Sequence, residues 1–206
     1  MRLFNDELAA KILEASKKEF LKKGFQNASV RSIAASVGVT TGAVYRYYEN
    51  KEAMFDALVS EAAENLYCMY RNYSEAFSEN TLDKQLSSLL NKIDSDIQSF
   101  VNYIYQNYDA FKLIACCAEG TKYSDYVERL IEVETKSSTV LVHMMKEQKN
   151  ACPNVDDQLI HIISSMYFSG VFEVIAHDEP IDQAMKHIAV LKTFYTAGWY
   201  KILGII

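Results

Sequence analysis

The sequence predicts an all-α protein. Only 7 glycines and 2 prolines punctuate its 206 residues, and no segment sustains the alternation of apolar and polar residues that a half-buried strand requires. Half of the residues are apolar, which is ample for a buried core in one large or two small domains. An all-helical fold is the simplest interpretation of these three observations.

The first predicted helix has an apolar side spaced for packing against other helices. That side is formed by Leu8, Ile12, Leu13, Ser16 and Phe20. The helix is expected to end at Gly24, because glycine readily adopts the left-handed conformation of a helix C-cap.

Two very short helices around a tight turn are predicted next. The first of them has an apolar stripe at i, i+3, i+4 and i+7, formed by Val30, Ile33, Ala34 and Val37. Ser29 is its expected N-cap, since a serine hydroxyl can accept a hydrogen bond from an unpaired amide of the first turn. Gly38 gives the chain the freedom for a sharp turn, and Thr40 or Thr41 caps the following helix.

The second short helix is expected to bury one side and expose the other. Val39, Val44 and Tyr48 can face inward. The outward-facing residues are then Thr41, Gly42, Ala43, Tyr45, Arg46 and Tyr47. Two short helices with such an outward surface are typical of a helix-turn-helix motif, whose second helix enters the major groove of DNA.

Four motifs follow one another between residues 24 and 52: Gly-Phe, Ser-Val-x-x-Ile-Ala, Gly-Val-Thr-x-Gly, and Val-Tyr-x-Tyr-Tyr running into Asn-Lys-Glu. In this order and at this spacing, the stretch from Leu8 to Leu58 resembles the TetR/AcrR-type transcriptional regulators. The resemblance implies a fold of about nine helices. It also implies a helix-turn-helix DNA-binding domain at residues 1–50, and a helical-bundle domain for effector binding and dimerisation at residues 51–206.

The resemblance assigns roles on DNA to individual residues. Arg31 matches a position that can reach a base edge or a phosphate from the second helix. Tyr45, Tyr47 and Lys51 match phosphate-contacting positions, and Tyr47 replaces a histidine that is common in the family. Together with the base-facing start of the recognition helix, the predicted DNA-binding residues are Ser29, Arg31, Thr40, Thr41, Gly42, Ala43, Tyr45, Arg46, Tyr47 and Lys51.

Charge is unevenly distributed along the chain. Residues 1–50 contain eight basic and five acidic residues, so their net charge is +3. The whole chain carries −6, which leaves −9 on the remainder. A basic end on an acidic protein suits docking of that end on DNA. Charge alone is equally compatible with an ordinary solvated helical surface, and it is the helix-turn-helix motif that favours nucleic acid.

Beyond residue 50, helices are predicted at about residues 51–77, 82–108, 110–118, 124–149, 155–177 and 180–203. Pro180 is placed in the first turn of the last helix, where proline is well tolerated. The last two helices mix small and large apolar residues, which allows close packing. In the resembling family they form a homodimer interface, and a palindromic operator requires the same two-fold symmetry. The expected interface residues are Ser165, Ser169, Gly170, Ile188, Leu191, Tyr195 and Gly198.

Aromatic residues are abundant, with 14 tyrosines and 10 phenylalanines. An aromatic-lined cavity for an unidentified small-molecule effector is expected between the helices at about 51–77, 82–108 and 124–149. Tyrosine hydroxyl groups could orient a ligand there. The candidate residues are Tyr67, Tyr70, Tyr103, Tyr126 and Tyr167. Aromatic residues at helical spacing also form ordinary cores, and that alternative stays open.

Neither a cofactor nor a metal site is predicted. The four cysteines lack Cys-x-x-Cys spacing and are interpreted as buried thiols. They are Cys68, Cys116, Cys117 and Cys152. Glu173 and His177, four residues apart, are interpreted as a helix-surface pair. No signal peptide is recognised and no apolar run is expected to approach membrane-spanning length, so a cytoplasmic protein without a membrane partner is expected.

These observations predict a homodimeric, ligand-responsive transcriptional regulator, a repressor that an effector releases from a palindromic DNA operator. Two alternatives belong to other classes. An enzyme could use the helical body as an active-site cavity, and a protein-interaction module could carry a head that does not bind DNA. No Ser-His-Asp, Cys-His or glycine-rich phosphate-binding pattern supports an enzyme. Arg31, Tyr45 and Lys51 argue against the interaction module.

Overall fold

The computed structural model describes residues 6–91, 93–149 and 154–205, and all regular structure within these ranges is helical. Ten helices are present: α1 (Asp6–Asn27), α2 (Val30–Ser36), α3 (Thr41–Val44), α4 (Lys51–Ser78), α5 (Leu82–Asn91), α6 (Ile93–Gln106), α7 (Tyr108–Cys117), α8 (Tyr126–Lys149), α9 (Asp157–Ala176) and α10 (Ile181–Leu203). The all-α prediction is confirmed. The described residues contain one helix more than expected, because the helix predicted at 82–108 is two helices.

The remaining helix bounds beyond residue 50 agree with the prediction to within two residues. Pro180 differs in its position within the last helix. Its φ of −60° and ψ of 145° are extended, so it is the N-cap of α10 and not part of the first turn. Proline suits this place because it has no N–H that the helix would leave unpaired.

The chain kinks at Gly24, where φ is 71° and ψ is 163°. The prediction of a left-handed cap is wrong, because that conformation requires a ψ of about +47°. Gly24 instead adopts an extended backbone with positive φ, which only glycine tolerates readily. α1 therefore continues past the kink to Asn27, and the N–H of Ala28 donates to the Gly24 carbonyl at 3.1 Å.

A first compact unit contains the described residues up to Glu64 together with Asn107–Tyr126. Its core is aromatic: the ring centroids of Phe20, Phe25 and Phe55 lie 5.3–5.8 Å apart. α1 packs on α7. The first unit thus extends beyond the predicted domain boundary at residue 50, since α7 and the beginning of α4 pack with α1–α3. The functions assigned to the two domains stay predictions.

A second compact unit contains the other described residues, from Asn65 to Gln106 and from Val127 onwards. Its main apolar cluster consists of Leu82, Leu141, Val142, Met145, Val155, Ile160, Trp199 and Leu203. α9 and α10 approach closely at Gly170, where an added Cβ would lie 2.6 Å from Cδ2 of Leu191. Glycine at this position therefore permits the close packing of the two helices.

α9 is long and apolar enough, by length and composition alone, to cross a membrane, with a mean hydropathy of 1.6 over 18 residues. The expectation that no apolar run approaches that length is therefore wrong. The physical reason is that α9 is apolar on both sides. Ile160 and Phe172 are buried in the second unit, whereas Ile162 and Met166 are exposed. A helix with two apolar sides is typical of one that is covered on both.

Candidate nucleic-acid interface and candidate ligand cavity

The helix-turn-helix begins at a serine that caps α2, as predicted. The Oγ of Ser29 accepts a hydrogen bond from the N–H of Ser32 at 3.4 Å. The N–H of Ser29 in turn donates to the Glu19 carboxylate at 3.1 Å. Lys23 also donates to that carboxylate at 2.7 Å and is the main reason why the pKa of Glu19 is lowered. Glu19 therefore ties the start of α2 to α1.

The turn between α2 and α3 uses the predicted glycine and one of the two predicted threonines. Gly38 has a φ of 72°, and the N–H of Val39 reaches back to the carbonyl of Ala34 at 3.0 Å. Thr40 is the N-cap of α3, because its Oγ1 accepts from the N–H of Ala43 at 3.2 Å. The structure thus resolves the choice between Thr40 and Thr41.

α3 presents the predicted side to solvent. Val44 is fully buried, and Val39 and Tyr48 are half-buried. The outward residues are exposed at Thr41, Gly42, Tyr45 and Arg46, and half-buried at Ala43 and Tyr47. The predicted orientation is confirmed for buried Val44 and for the exposed residues Thr41, Gly42, Tyr45 and Arg46. Contact of these residues with DNA stays a prediction.

Arg31 on α2 is exposed as well. In the described part of the chain, neither the guanidinium group of Arg31 nor that of Arg46 has a hydrogen bond or an ion pair with another residue. Two guanidinium groups are therefore available on the surface of the helix-turn-helix. Such groups bind phosphates and guanine edges through paired N–H donors.

Lys51, at the start of α4, was expected to contact a phosphate, but its ammonium group has other partners. Its Nζ donates to the carbonyl oxygens of Phe25 at 2.6 Å, Gln26 at 3.0 Å and Ala28 at 3.3 Å. It also lies 4.5 Å from the centroid of the Phe25 ring, within the range of a cation–π interaction. We call this set of contacts the Lys51 clamp.

The Lys51 clamp changes the interpretation of this residue. An ammonium group has three protons, and all three have carbonyl acceptors here, so a phosphate contact would require one of these bonds to break. The carbonyls belong to the segment that follows the kink at Gly24. Lys51 therefore joins the end of α1 to the start of α4, a role that its position in the motif did not reveal.

The second unit contains a cavity of about 180 Å³. Residues from α4, α6, α8, α9 and α10 line it. The expected walls are therefore present, with α9 and α10 in addition. Among the candidate tyrosines, Tyr70 and Tyr167 line this cavity.

The other three candidate tyrosines do not line the cavity. The ring of Tyr67 packs against the guanidinium of Arg129, 4.5 Å from the ring centroid. Tyr126 is fully buried in the first unit, where its hydroxyl donates to the carbonyl of Ala63 at 2.8 Å. Tyr103 is half-buried on α6 and is not among the residues that line the cavity. Helical spacing did not separate cavity tyrosines from core tyrosines, because the rotation of each helix decides which space a ring faces.

Glu134 is the main cavity residue that sequence reasoning missed. Its carboxylate accepts hydrogen bonds from the hydroxyls of Tyr70, of Tyr195 at 3.3 Å and of Ser138 at 3.3 Å. A weak signal was present in the sequence: Glu134 lies at helical spacing between Leu130 and Leu141 on α8, on the same side as Ser137 and Ser138. An acidic residue between apolar residues at this spacing indicates a polar group that is partly withdrawn from water.

Several of the predicted interface residues lie inside the protein instead. Ile188 is buried and lines the cavity, as does Tyr195, and Leu191 packs against Gly170 of the same chain. Ser165 is half-buried, and Ser169 and Gly198 are exposed. The most exposed large apolar side chains of α9 and α10 are Ile162, Met166, Val190 and Phe194, with exposed fractions of 54%, 49%, 69% and 67%. We call these four residues the outer apolar face.

The three described cysteines and the glutamate–histidine pair are not brought together into a metal site. Cys117 is buried, Cys68 is half-buried and Cys116 is exposed, so the buried-thiol prediction is correct for Cys117 alone. Cys152 lies outside the described residues. The Nε2 of His177 lies 3.0 Å from the Glu173 carboxylate, and the two exposed side chains form a helix-surface pair, as predicted. Within the described ranges, no group of three or more metal-ligating side chains is present.

Comparison with known proteins identifies the N-terminal segment. The family model for bacterial regulatory proteins of the tetR family matches residues 12–58. The chain is 32% identical over 93 residues to TtgR, an HTH-type transcriptional regulator of Pseudomonas putida, with 37% of this chain and 44% of TtgR covered. It is 30% identical over 89 residues to AcnR, an HTH-type transcriptional repressor of Corynebacterium diphtheriae, with 42% and 43% covered. The chain thus matches less than half the length of these curated relatives.

Solved structures are similar to this chain over most of its length. NalD, the secondary repressor of the MexAB-OprM multidrug efflux pump in Pseudomonas aeruginosa, has a TM-score of 0.56 and 20% identity, with 92% of this chain and 95% of NalD covered. A transcriptional regulator from Aquifex aeolicus has a TM-score of 0.53 and 18% identity, with 90% and 98% covered. At these identities the likeness shows the fold. The relatives are named as regulators, in agreement with the prediction that the chain is not an enzyme. Residues 12–58 thus match the domain of the tetR family of bacterial regulatory proteins, and the fold of the chain is similar to that of solved regulators.

Proposed function

We propose that this chain is a sequence-specific DNA-binding transcriptional regulator, a repressor that leaves a palindromic operator when a small molecule binds. The observation that carries the proposal is the exposed side of α3, held by two side-chain caps within the segment that matches the family. A role on chromosomal DNA implies a cytoplasmic location.

The exposed groups divide into base readers and phosphate binders. Thr41, Gly42 and Ala43, at the start of α3, face the base edges, because the N-terminal residues of a recognition helix enter the major groove. Arg31, Tyr45, Arg46 and Tyr47 supply donors for phosphates or guanine edges. Ser29 and Thr40 use their hydroxyl oxygens as caps, and each hydroxyl keeps a proton that it can donate to a phosphate.

We expect Thr41→Ala to relax preference at one operator position by about 1–3 kcal/mol, the cost of a lost base contact. Tyr45→Phe should weaken binding to all sequences alike, since a phosphate contact carries no base information. Fluorescence anisotropy with a selected operator and its single-base variants measures both effects. Tyr67→Phe, which removes a hydroxyl outside the helix-turn-helix, is the control. Wild-type affinity and preference in both variants would refute this assignment of the surface.

Dimerisation through the outer apolar face is the second part of the proposal. A palindromic operator needs two helix-turn-helix motifs related by a two-fold axis. Ile162, Met166, Val190 and Phe194 expose large side chains on α9 and α10. An exposed apolar patch of this kind marks an interaction surface, and its position agrees with the interface that the family resemblance implies.

Release by a ligand is the third part of the proposal. α4 contributes Leu66, Tyr70 and Tyr73 to the cavity, and its first residue is Lys51 of the clamp. A ligand can act only through unequal affinity for the DNA-competent and DNA-incompetent arrangements. A loss of operator affinity of about tenfold corresponds to about 1.4 kcal/mol of coupling.

Reciprocity of binding gives the test of ligand release. We expect operator DNA to weaken binding of an effector by the same factor by which the effector weakens binding of the operator. Titration calorimetry of a ligand found by thermal-shift screening, with and without operator, measures both factors. Non-operator DNA of equal length is the control. Equal ligand affinities in the presence and absence of operator would exclude induction by that ligand.

A further inference from the structure

The charge of Glu134 is placed inside an aromatic cavity. The donors to its carboxylate are the hydroxyls of Tyr70, Tyr195 and Ser138. These groups are neutral, so they satisfy the oxygen atoms of the carboxylate without cancelling its negative charge. Glu134 is half-buried, and a charge partly withdrawn from water in this way favours a partner of opposite sign.

Aromatic rings surround the hydroxyl groups that contact Glu134. The Tyr70 ring packs edge-on against Phe168 and Phe100, with centroid distances of 5.3 and 5.5 Å. Tyr167 and Tyr195 lie with centroids 4.5 Å apart, and Trp199 is 6.2 Å from Tyr195. The faces of such rings carry the negative part of the aromatic quadrupole and attract cations.

The pKa values of three cavity tyrosines reflect their burial near the negative charge of Glu134. Burial, and after it the charge of Glu134, raises the pKa of Tyr70, Tyr167 and Tyr195 above the ordinary value. All three therefore stay protonated near neutral pH. They can orient a ligand as neutral hydroxyls, but they supply no positive charge that would attract an anion.

We propose that the cavity binds a lipophilic organic cation, whose ammonium or amidinium group lies between Glu134 and the faces of the surrounding tyrosine rings. The carboxylate supplies charge neutralisation, the rings supply cation–π attraction, and the apolar walls take the rest of the ligand. Identification of this cation as an effector rests on the proposed function. Binding to the cavity does not, because it can be measured without DNA.

The competing possibility is that the cavity binds an anion through Lys192. Lys192 is buried, lines the same cavity and stands one helical turn before Tyr195 on α10. An anionic ligand would pair with its ammonium group and would gain nothing from the ring faces. Whether the cavity prefers a cation or an anion therefore shows whether Glu134 or Lys192 determines its ligand.

Three small probes of similar shape test the proposal on the full chain without DNA. They are benzyltrimethylammonium, its neutral isostere neopentylbenzene, and the anion 4-tert-butylbenzoate. Isothermal titration calorimetry should show the ammonium probe binding at least about tenfold more tightly than either of the others, a difference of about 1.4 kcal/mol. Glu134→Gln should remove this preference and leave the affinity for neopentylbenzene within about twofold. Glu132→Gln, an exposed glutamate of the same helix, should change nothing.

Three results would overturn the proposal: no binding of the ammonium probe, cation preference that survives Glu134→Gln, or tighter binding of the anion that Lys192→Met abolishes. If Glu134→Gln does not fold, as judged by circular dichroism, Tyr70→Phe replaces it. That variant keeps the ring and removes a hydroxyl that competes for the carboxylate, so cation affinity should hold or rise, and a tenfold loss would overturn the proposal. A cation that binds but leaves operator affinity unchanged removes only the regulatory role.

Discussion

Lys51→Met is expected to lower the free energy of unfolding by about 1–3 kcal/mol, because it removes three charge-assisted hydrogen bonds and leaves their carbonyl acceptors to water. The carbonyls of Phe25, Gln26 and Ala28 lose their shared donor, and the Phe25 ring loses its cation. Methionine keeps most of the apolar stem of lysine, so the loss reports the ammonium group. Urea unfolding followed by circular dichroism measures this change.

The same variant separates the Lys51 clamp from the phosphate contact that the family resemblance implies. A phosphate contact would leave stability unchanged, and its loss would reduce the salt dependence of DNA binding by about one unit of slope. The clamp predicts lower stability and, in the folded fraction, an unchanged salt slope. Lys84→Met, on the exposed surface of α5, is the matched control. Unchanged stability together with a reduced slope would restore Lys51 to the DNA interface.

Phe194→Asp is expected to convert a dimer into a monomer, with the dimer dissociation constant raised at least about 100-fold, or about 2.7 kcal/mol. The side chain is 67% exposed in the single chain. In the proposed dimer it would be covered, and a carboxylate without a partner is costly to bury. The two-fold axis places the substitution in both protomers, which adds to the effect. Sedimentation velocity over a dilution series measures the dissociation constant.

Operator binding gives a second readout for the outer apolar face. The Phe194→Asp monomer should still bind a half-site weakly, because its helix-turn-helix is unchanged, and should lose the gain in affinity from simultaneous binding of two half-sites. Met69→Asp places the same charge at an exposed methionine of α4, 36% exposed, outside that face. This control should stay dimeric. A wild-type protein that sediments as a monomer at micromolar concentration would refute the dimer itself.

The two apolar stripes of α10 show why the interface was only partly predictable. Ile188, Leu191 and Tyr195 repeat at helical spacing, and so do Val190 and Phe194. Both stripes satisfy the same periodicity, so the pattern cannot indicate which one packs within the chain. In the structure, the first stripe faces α9 and the cavity, and the second is exposed. Packing against the neighbouring helices sets the rotation of α10 and therefore determines which stripe is exposed.

By itself, the sequence determined the helical class, most helix bounds, and the local features of the helix-turn-helix. The Ser29 cap, the turn at Gly38 and the burial of Val44 depend on residues a few positions apart, so local spacing and backbone preference are sufficient to predict them. Only the tertiary structure decided the partners of Lys51, the residues around Glu134 and the side of α10 that is exposed. Each of these depends on side chains from helices distant in sequence, whose relative rotation and distance arise from packing and are not encoded in any local pattern.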